Sequence, residues 1–228
     1  MVEIWDIGNT HIRIAVWDGG EFIGLRRLPV SEIPEISGDR RRICACVNPA
    51  VKAAVPVDSM HFISAADPGL PVDFSLVDTS TLGADRVANA IAAAAMYSLP
   101  AVVIDCGTAL TMEVVDSERR FVGGAIAPGR KLLRQILARG TAQLPEIPLS
   151  SVKPEAIGQN TRDAIHFGVD HALIGTVREW LNFLRQKYPD ITVILTGGDA
   201  GFLSHDFPEA VIADEFFTLH GIRLAGGY

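Results

Sequence analysis

The sequence predicts an α/β chain in which one βββ-α-β-α-β unit occurs twice, with the two copies stacked about a cleft. Three observations carry this expectation. The run Val103-Ile104-Asp105-Cys106-Gly107-Thr108 restates Ile4-Trp5-Asp6-Ile7-Gly8-Asn9-Thr10 about one hundred positions later. Each run is apolar, reaches an Asp and then a Gly, and continues into an alternating segment, His11 to Asp18 in one case and Ala109 to Asp116 in the other. Strand and helix patterns then follow in a similar order. An internal repeat of this kind implies two related structural units.

The elements follow in order. Residues 2–6, 11–17 and about 21–28 read as strands, with Gly8-Asn9-Thr10 and Asp18-Gly19-Gly20 as their turns. The polar stretch 30–40, with Pro34, is expected to hold a short helix. Strands near 43–47 and 60–64 flank a helical piece around 49–54, and the Pro-containing segment 67–72 is a loop. Residues 83–98 form a helix with Asp85 and Arg86 in its first turn and Pro100 beyond its end. The pattern restarts with strands 101–105, 109–116 and 120–124. Pro128 suits the first position of a helix that runs through Leu137 and ends at Gly140. A long amphipathic helix over 161–187 is capped by Asn160 or Thr161, and Tyr188-Pro189 closes it. A strand at 191–195 delivers Thr196-Gly197-Gly198-Asp199-Ala200-Gly201; a strand near 210–213 and a helix near 215–224 complete the chain. The two halves are therefore 1–98 and 99–228.

Bulk composition narrows the function. With 228 residues, 48% of them hydrophobic, the chain can bury a sizeable core. A net charge of −7 argues against a nucleic-acid binder, which would carry a basic face. The short run Arg40-Arg41-Arg42 precedes an apolar strand and does not alter that. The first strand meets Asp6 before a signal-peptide core could form. The most apolar helical stretch, Val87 to Met96, is too short to span a bilayer. Three cysteines are no disulfide framework, and Cys44 and Cys46 share one face of a strand and read as buried. A cytoplasmic protein with no membrane partner is expected.

The chemistry lies in the turns. A Gly after a strand-end Asp lets backbone approach a bulky anion, with N–H groups aimed at phosphate oxygens, while the Asp can hold a cation. One such hairpin alone is ordinary Asp-x-Gly turn chemistry. Two copies form a nucleotide-cleft signature. No Gly-x-x-x-x-Gly-Lys-Ser/Thr loop, Rossmann fingerprint, Gly-x-Ser-x-Gly elbow or His-Glu-x-x-His pair is present, and His166 and His171 fall on different helix faces. Gly123-Gly124-Ala125-Ile126-Ala127-Pro128-Gly129 precedes a helix, whose N-terminus attracts anions. Thr196-Gly197-Gly198-Asp199-Ala200 follows a buried strand, where backbone can pass close to a nucleobase or ribose. Each is also compatible with a routine strand-to-helix turn. At Leu82-Gly83-Ala84-Asp85-Arg86 two readings stand. The pair is a surface pair favoured by helix-end electrostatics. Alternatively Asp85 accepts a hydroxyl proton while Arg86 binds an acidic group of a substrate.

Together, Asp6-Ile7-Gly8-Asn9-Thr10, Gly83-Ala84-Asp85-Arg86, Asp105-Cys106-Gly107-Thr108-Ala109, the Gly123–Gly129 run, Thr141-Ala142-Gln143-Leu144-Pro145, Gly158-x-Asn160-Thr161 and Thr196-Gly197-Gly198-Asp199-Ala200 resemble the type III pantothenate kinases. The resemblance covers nearly the whole chain, in order. It implies two ribonuclease-H-like halves of the actin-like ATPase superfold, and ATP-dependent phosphorylation of pantothenate, the first step towards coenzyme A, by a cytoplasmic homodimer. It further implies that Asp6, Ile7, Gly8, Asn9, Thr10, His11, Ile12 and Arg13 hold the ATP phosphates, with Asp6 near magnesium. Gly83, Ala84, Asp85 and Arg86 would bind pantothenate, with Asp85 as proton acceptor. Asp105 would coordinate potassium or ammonium, Thr108 would contact ATP and Thr161 would touch pantothenate.

One departure bears on the acceptor. The family pattern Tyr-x-x-Pro-x-x-Leu-Gly has Leu76 and Thr79 in place of its Tyr and Pro. Two other readings therefore accompany the first: a kinase of another small hydroxy acid or alcohol on the same fold, and a non-catalytic regulatory paralogue. Asp6, Asp85 and Asp105 are all retained, which weighs against the paralogue. The helix from Thr161 carries Ile165, Phe167, Val169, Ala172, Leu173, Val177, Trp180, Leu181 and Leu184, more apolar surface than one face needs. A two-fold partner is expected to cover the remainder.

Overall fold

Two five-stranded sheets repeat one strand order. The computed structural model describes residues 1–36, 40–56 and 59–228. In the first sheet, β1 (Val2–Ile7) pairs antiparallel with β2 (His11–Trp17), which pairs antiparallel with β3 (Phe22–Pro29). On its other side β1 pairs parallel with β4 (Arg41–Cys46), and β4 pairs parallel with β5 (His61–Phe62). The order is thus β3-β2-β1-β4-β5. The second sheet comprises β6 (Ala101–Cys106), β7 (Ala109–Val115), β8 (Phe121–Pro128), β9 (Thr192–Thr196) and β10 (Val211–Ile212). Its order, β8-β7-β6-β9-β10, is the same sequence of neighbours. Duplication is therefore visible in topology as well as in the repeated turns.

The helices are α1 (Pro49–Ala54), α2 (Ala84–Met96), α3 (Arg130–Gly140), α4 (Thr161–Arg185), α5 (Ala200–Ser204) and α6 (Phe217–Ala225). Asn48 caps α1, its side chain accepting from the N–H groups of Ala50 and Val51, and Pro49 sits in the first turn, where it gives up no helical hydrogen bond. Asn160 caps α4 by accepting from the Asp163 N–H. Pro128 does not open α3, contrary to the sequence expectation. It is the last residue of β8, an edge strand that tolerates a missing N–H, and Gly129 takes the cap. Within the expected helix at 30–40, residues 30–36 form a turn and irregular backbone, and residues 37–39 lie outside the described residues.

By contacts the chain forms two units, Met1–Ala101 with Glu113–Gly123 and Asp214–Tyr228, and Val102–Met112 with Gly124–Ala213. In the first, the period-2 alternation of β1 sends Val2 and Ile4 to one core and Trp5 and Ile7 to another. Val2 and Ile4 pack with Ala15, Ile43, Ala88, Leu219 and Ile222, which brings α2 and α6 onto that face. Trp5 and Ile7 pack with Ile12, Ile14, Cys44 and Val51, with Cys46 beside them. Burial pushes both the Cys44 and Cys46 thiols above their ordinary value, as suits packing residues. In the second unit, Ile147, Ile165 and Val169 form a small cluster under Leu133, Leu137 and Leu144. Among the described residues no helix is long and apolar enough to cross a membrane.

The α2–α6 contact depends on one missing side chain. A Cβ on Gly221 would stand 1.8 Å from the carbonyl oxygen of Ala88, which is backbone and cannot swing away. Replacing Gly221 with Val gains only a few tenths of a kcal/mol in helix propensity. Overpacking costs about 1–3 kcal/mol, so a net loss of that order is expected in urea unfolding of Gly221→Val. An unchanged midpoint would show that the helices separate freely.

Candidate active site

The first hairpin is fixed by its register. Asp6, at the end of β1, lies opposite Arg13 of β2, and Arg13 donates from Nη2 at 2.6 Å and from Nε at 2.8 Å to the same carboxylate oxygen, Oδ2. Ile7 and Ile12, the next pair towards the turn, are fully buried and anchor the tip from below. The Gly8 N–H donates to the His11 carbonyl at 3.0 Å and closes the turn. A Cβ on Gly8 would sit 3.3 Å from that same oxygen. From the side, the Thr10 carbonyl accepts from Val30 N–H at 3.0 Å. The structure thus gathers Asp6, Ile7, Gly8, Asn9, Thr10, His11, Ile12 and Arg13 on one braced hairpin.

The start of α2 stands beside it in the same unit. Val47, which continues β4, donates its N–H to the Ile7 carbonyl at 3.0 Å. Its Cγ1 lies 3.6 Å from where a Gly83 Cβ would be. Gly83 caps α2, and Ala84, Asp85 and Arg86 form its first turn, where exposed N–H groups favour a negative charge. Asp85 Oδ1 accepts from the Arg86 N–H at 2.8 Å. A Cβ on Gly83 would stand 2.6 Å from that oxygen, so glycine leaves room for the carboxylate. Arg86 Nε donates to Glu113 Oε1 at 2.9 Å, and Glu113 is fully buried. A buried carboxylate that holds the Arg86 guanidinium is a role the sequence reading did not assign. Its signal in the sequence was a charged residue inside a largely apolar strand. Leu76, in the place of the family Tyr, is exposed.

The second unit presents the other hairpin tip. The Gly107 N–H donates to the Ala109 carbonyl at 3.1 Å, leaving Gly107 and Thr108 as a two-residue turn after Asp105 and Cys106. Gly129 N–H donates to the Thr108 carbonyl at 3.0 Å, and a Cβ on Gly129 would lie 2.3 Å from the Gly107 oxygen. Gly197 has φ +87°, and its Cβ would lie 2.5 Å from Asp105 Oδ1. The Asp199 N–H donates to the Cys106 carbonyl at 3.0 Å. Asp105 and Thr108 thus share one tip that the Gly129 and Gly197 turns both touch. Thr161 is placed differently. It opens α4 and lines an apolar groove of about 550 Å³ with Leu133, Leu144, Ala164, Gly168 and Ala172.

A strand-end Asp and a glycine tip, repeated in two copies of one five-stranded sheet, define the actin-like ATPase and sugar-kinase class of fold. Solved structures agree. A Campylobacter jejuni protein assigned to the Baf family of transcriptional activators is similar, with a TM-score of 0.64 and 22% identity over 98% of this chain and 96% of that one. So is a Sinorhizobium meliloti protein assigned as a 2-dehydro-3-deoxygalactonokinase, with a TM-score of 0.61 and 13% identity over 99% and 96%. Residues 41–182 match the model of the type III pantothenate kinase family. The type III pantothenate kinase of Methylacidiphilum infernorum (isolate V4) is 30% identical over 97% of this chain and 86% of its own length. The chain belongs to the type III pantothenate kinase family, and it is a kinase.

Proposed function

We propose that this chain transfers a phosphoryl group from ATP to the hydroxyl of pantothenate, giving 4'-phosphopantothenate in the cytoplasm. The observation that carries the reading is the first unit's pairing of a phosphate-binding tip, Asp6 to Arg13, with the Gly83-Ala84-Asp85-Arg86 helix start, joined through Val47. The N–H groups of the Gly8-Asn9-Thr10 turn meet phosphate oxygens. Asp85 takes the acceptor proton, and Arg86, steadied by Glu113, binds the acidic end of the acceptor. The donor set fits a magnesium ion, which favours one or two carboxylates plus substrate phosphates over an all-protein cage. Asp6 is such a carboxylate, at a strand end beside a glycine tip. Magnesium, when bound, supplies charge neutralisation on the phosphates, and Arg13 balances Asp6 without it. Phosphorus NMR of the product tests the reading. A phosphomonoester on the pantothenate hydroxyl is expected, whereas inorganic phosphate alone would contradict it.

In the second unit Thr108 contacts ATP and Asp105 holds potassium or ammonium. Activity then rises with potassium and falls when sodium or tetramethylammonium replaces it, and Asp105→Asn removes the dependence. A rate indifferent to the monovalent cation would take Asp105 out of this role. Thr161 touches pantothenate within a homodimer. The buried face of α4 carries Ile165, Val169, Leu173, Val177, Leu181 and Leu184. Ala164, Gly168 and Ala172 are left exposed along the groove wall, and a second copy would cover this face. In sedimentation, wild-type protein is expected to be dimeric at micromolar concentration. Gly168→Glu, at a position with open space around it, should give a folded monomer with reduced activity. A fully active monomer would overturn the assembly.

A further inference from the structure

Arg130 is an unexpected residue for its position. It is the first residue of α3, where a helix N-terminus disfavours a cation, and it is 3% exposed. Burying a guanidinium there is costly unless it is closely paired. The pairing is extensive. Nη2 donates to Asp199 Oδ1 at 2.8 Å and Nε to Oδ2 at 3.3 Å, a two-pronged contact. Nη1 donates to the Ser150 carbonyl at 2.9 Å, and the guanidinium lies 3.7 Å from the Phe202 ring centroid. Behind this pair Asp170 of α4, fully buried, lies 3.6 Å from Arg130 Nη1 and accepts from Arg134 Nη2 at 2.8 Å. His166 Nε2 is 3.0 Å from the same carboxylate without the alignment of a hydrogen bond.

The two partners are placed where the second tip is gripped. Gly129, which grips Thr108 through its N–H, is the residue before Arg130. Asp199, which grips Cys106 through its own N–H, is the other partner. The ion pair therefore ties together the two backbone segments that hold the tip. Gly197, two residues before Asp199, packs where a Cβ would collide with Asp105 Oδ1. A small movement of this turn would move the wall against which Asp105 rests.

We infer that the Arg130–Asp199 ion pair sets the geometry of the Asp105–Thr108 tip, which makes Arg130 and Asp199 positioning residues for nucleotide and monovalent-cation binding. The ligand part of this inference rests on the proposed function; the mechanical part rests on the contacts alone. Two readouts on Asp199→Asn keep them separate. The first is amide hydrogen exchange at Gly129 and at position 199, whose N–H groups grip the tip. Faster exchange at both is expected, and unchanged exchange would overturn the clamp. The second is calorimetric titration with magnesium–ADP at varied potassium. Affinity for ADP and for potassium should fall roughly 10–100-fold, as when the support of a ligating group is removed. Arg130→Lys, which keeps the charge but loses the fork, should lie between the variant and wild type in both readouts. It also serves if Asp199→Asn does not fold. Faster exchange with unchanged affinities would reduce the pair to a purely structural role. Wild-type protein that binds no ADP would overturn the kinase reading, and the exchange data would still decide the clamp.

Discussion

Asp85→Asn should lower turnover by roughly 10²–10⁴-fold while the protein remains folded. The amide keeps the shape of the side chain and can still accept from the Arg86 N–H, which Asp85 Oδ1 does at 2.8 Å. What it loses is basicity. Phosphoryl transfer passes through a loose transition state in which proton removal is a late contributor, which favours the lower end of that range. Stability should change little, because a carboxylate in a helix first turn contributes about 0.3–1 kcal/mol. The check is steady-state kinetics on a variant whose thermal unfolding matches wild type. Near-wild-type turnover would leave Asp85 as a helix-end charge.

Asp170→Ala should produce the largest loss of stability. Asp170 is fully buried and serves Arg134, itself 1% exposed, together with Arg130. Removing one member of a buried ion pair strands the other charge and costs about 3–5 kcal/mol. Arg130 keeps Asp199, so Arg134 bears most of the penalty. A domain is stable by about 5–15 kcal/mol in total, so the loss is a large share. Arg185→Ala provides the contrast. Its partner Glu209 is exposed, and pairs of that kind contribute about 0–1 kcal/mol. Urea unfolding should separate the two variants clearly. Equal losses would mean that Arg134 finds compensation elsewhere.

Local chemistry decided what could be read from the chain. The hairpins at Gly8 and Gly107 were legible because alternation, a strand-end Asp and a glycine turn lie within about a dozen residues. The repeat then pointed to two equivalent sheets, and the strand orders match. The helix at α5 was missed because five residues are too few to show a helical period. Pro128 misled because the same residue suits a helix start and the end of an edge strand, and only sheet pairing separates the two. The strand expected at 60–64 shortened to His61–Phe62, although Ile63 still donates to the Cys44 carbonyl. Buried charges were the least legible. Glu113, Arg130, Arg134 and Asp170 drew no role from the sequence, and each is buried and paired with a residue 27 to 69 positions away. Such pairing has no local signature.

The most direct measurement is coupled ADP release with pantothenate and a panel of small alcohols and hydroxy acids as acceptors. Release that depends on pantothenate, and exceeds that with every other acceptor, is the result expected of a family member with Gly83-Ala84-Asp85-Arg86 intact and Leu76 in place of the Tyr. No pantothenate-dependent ADP release, or faster release with a different alcohol, would contradict it.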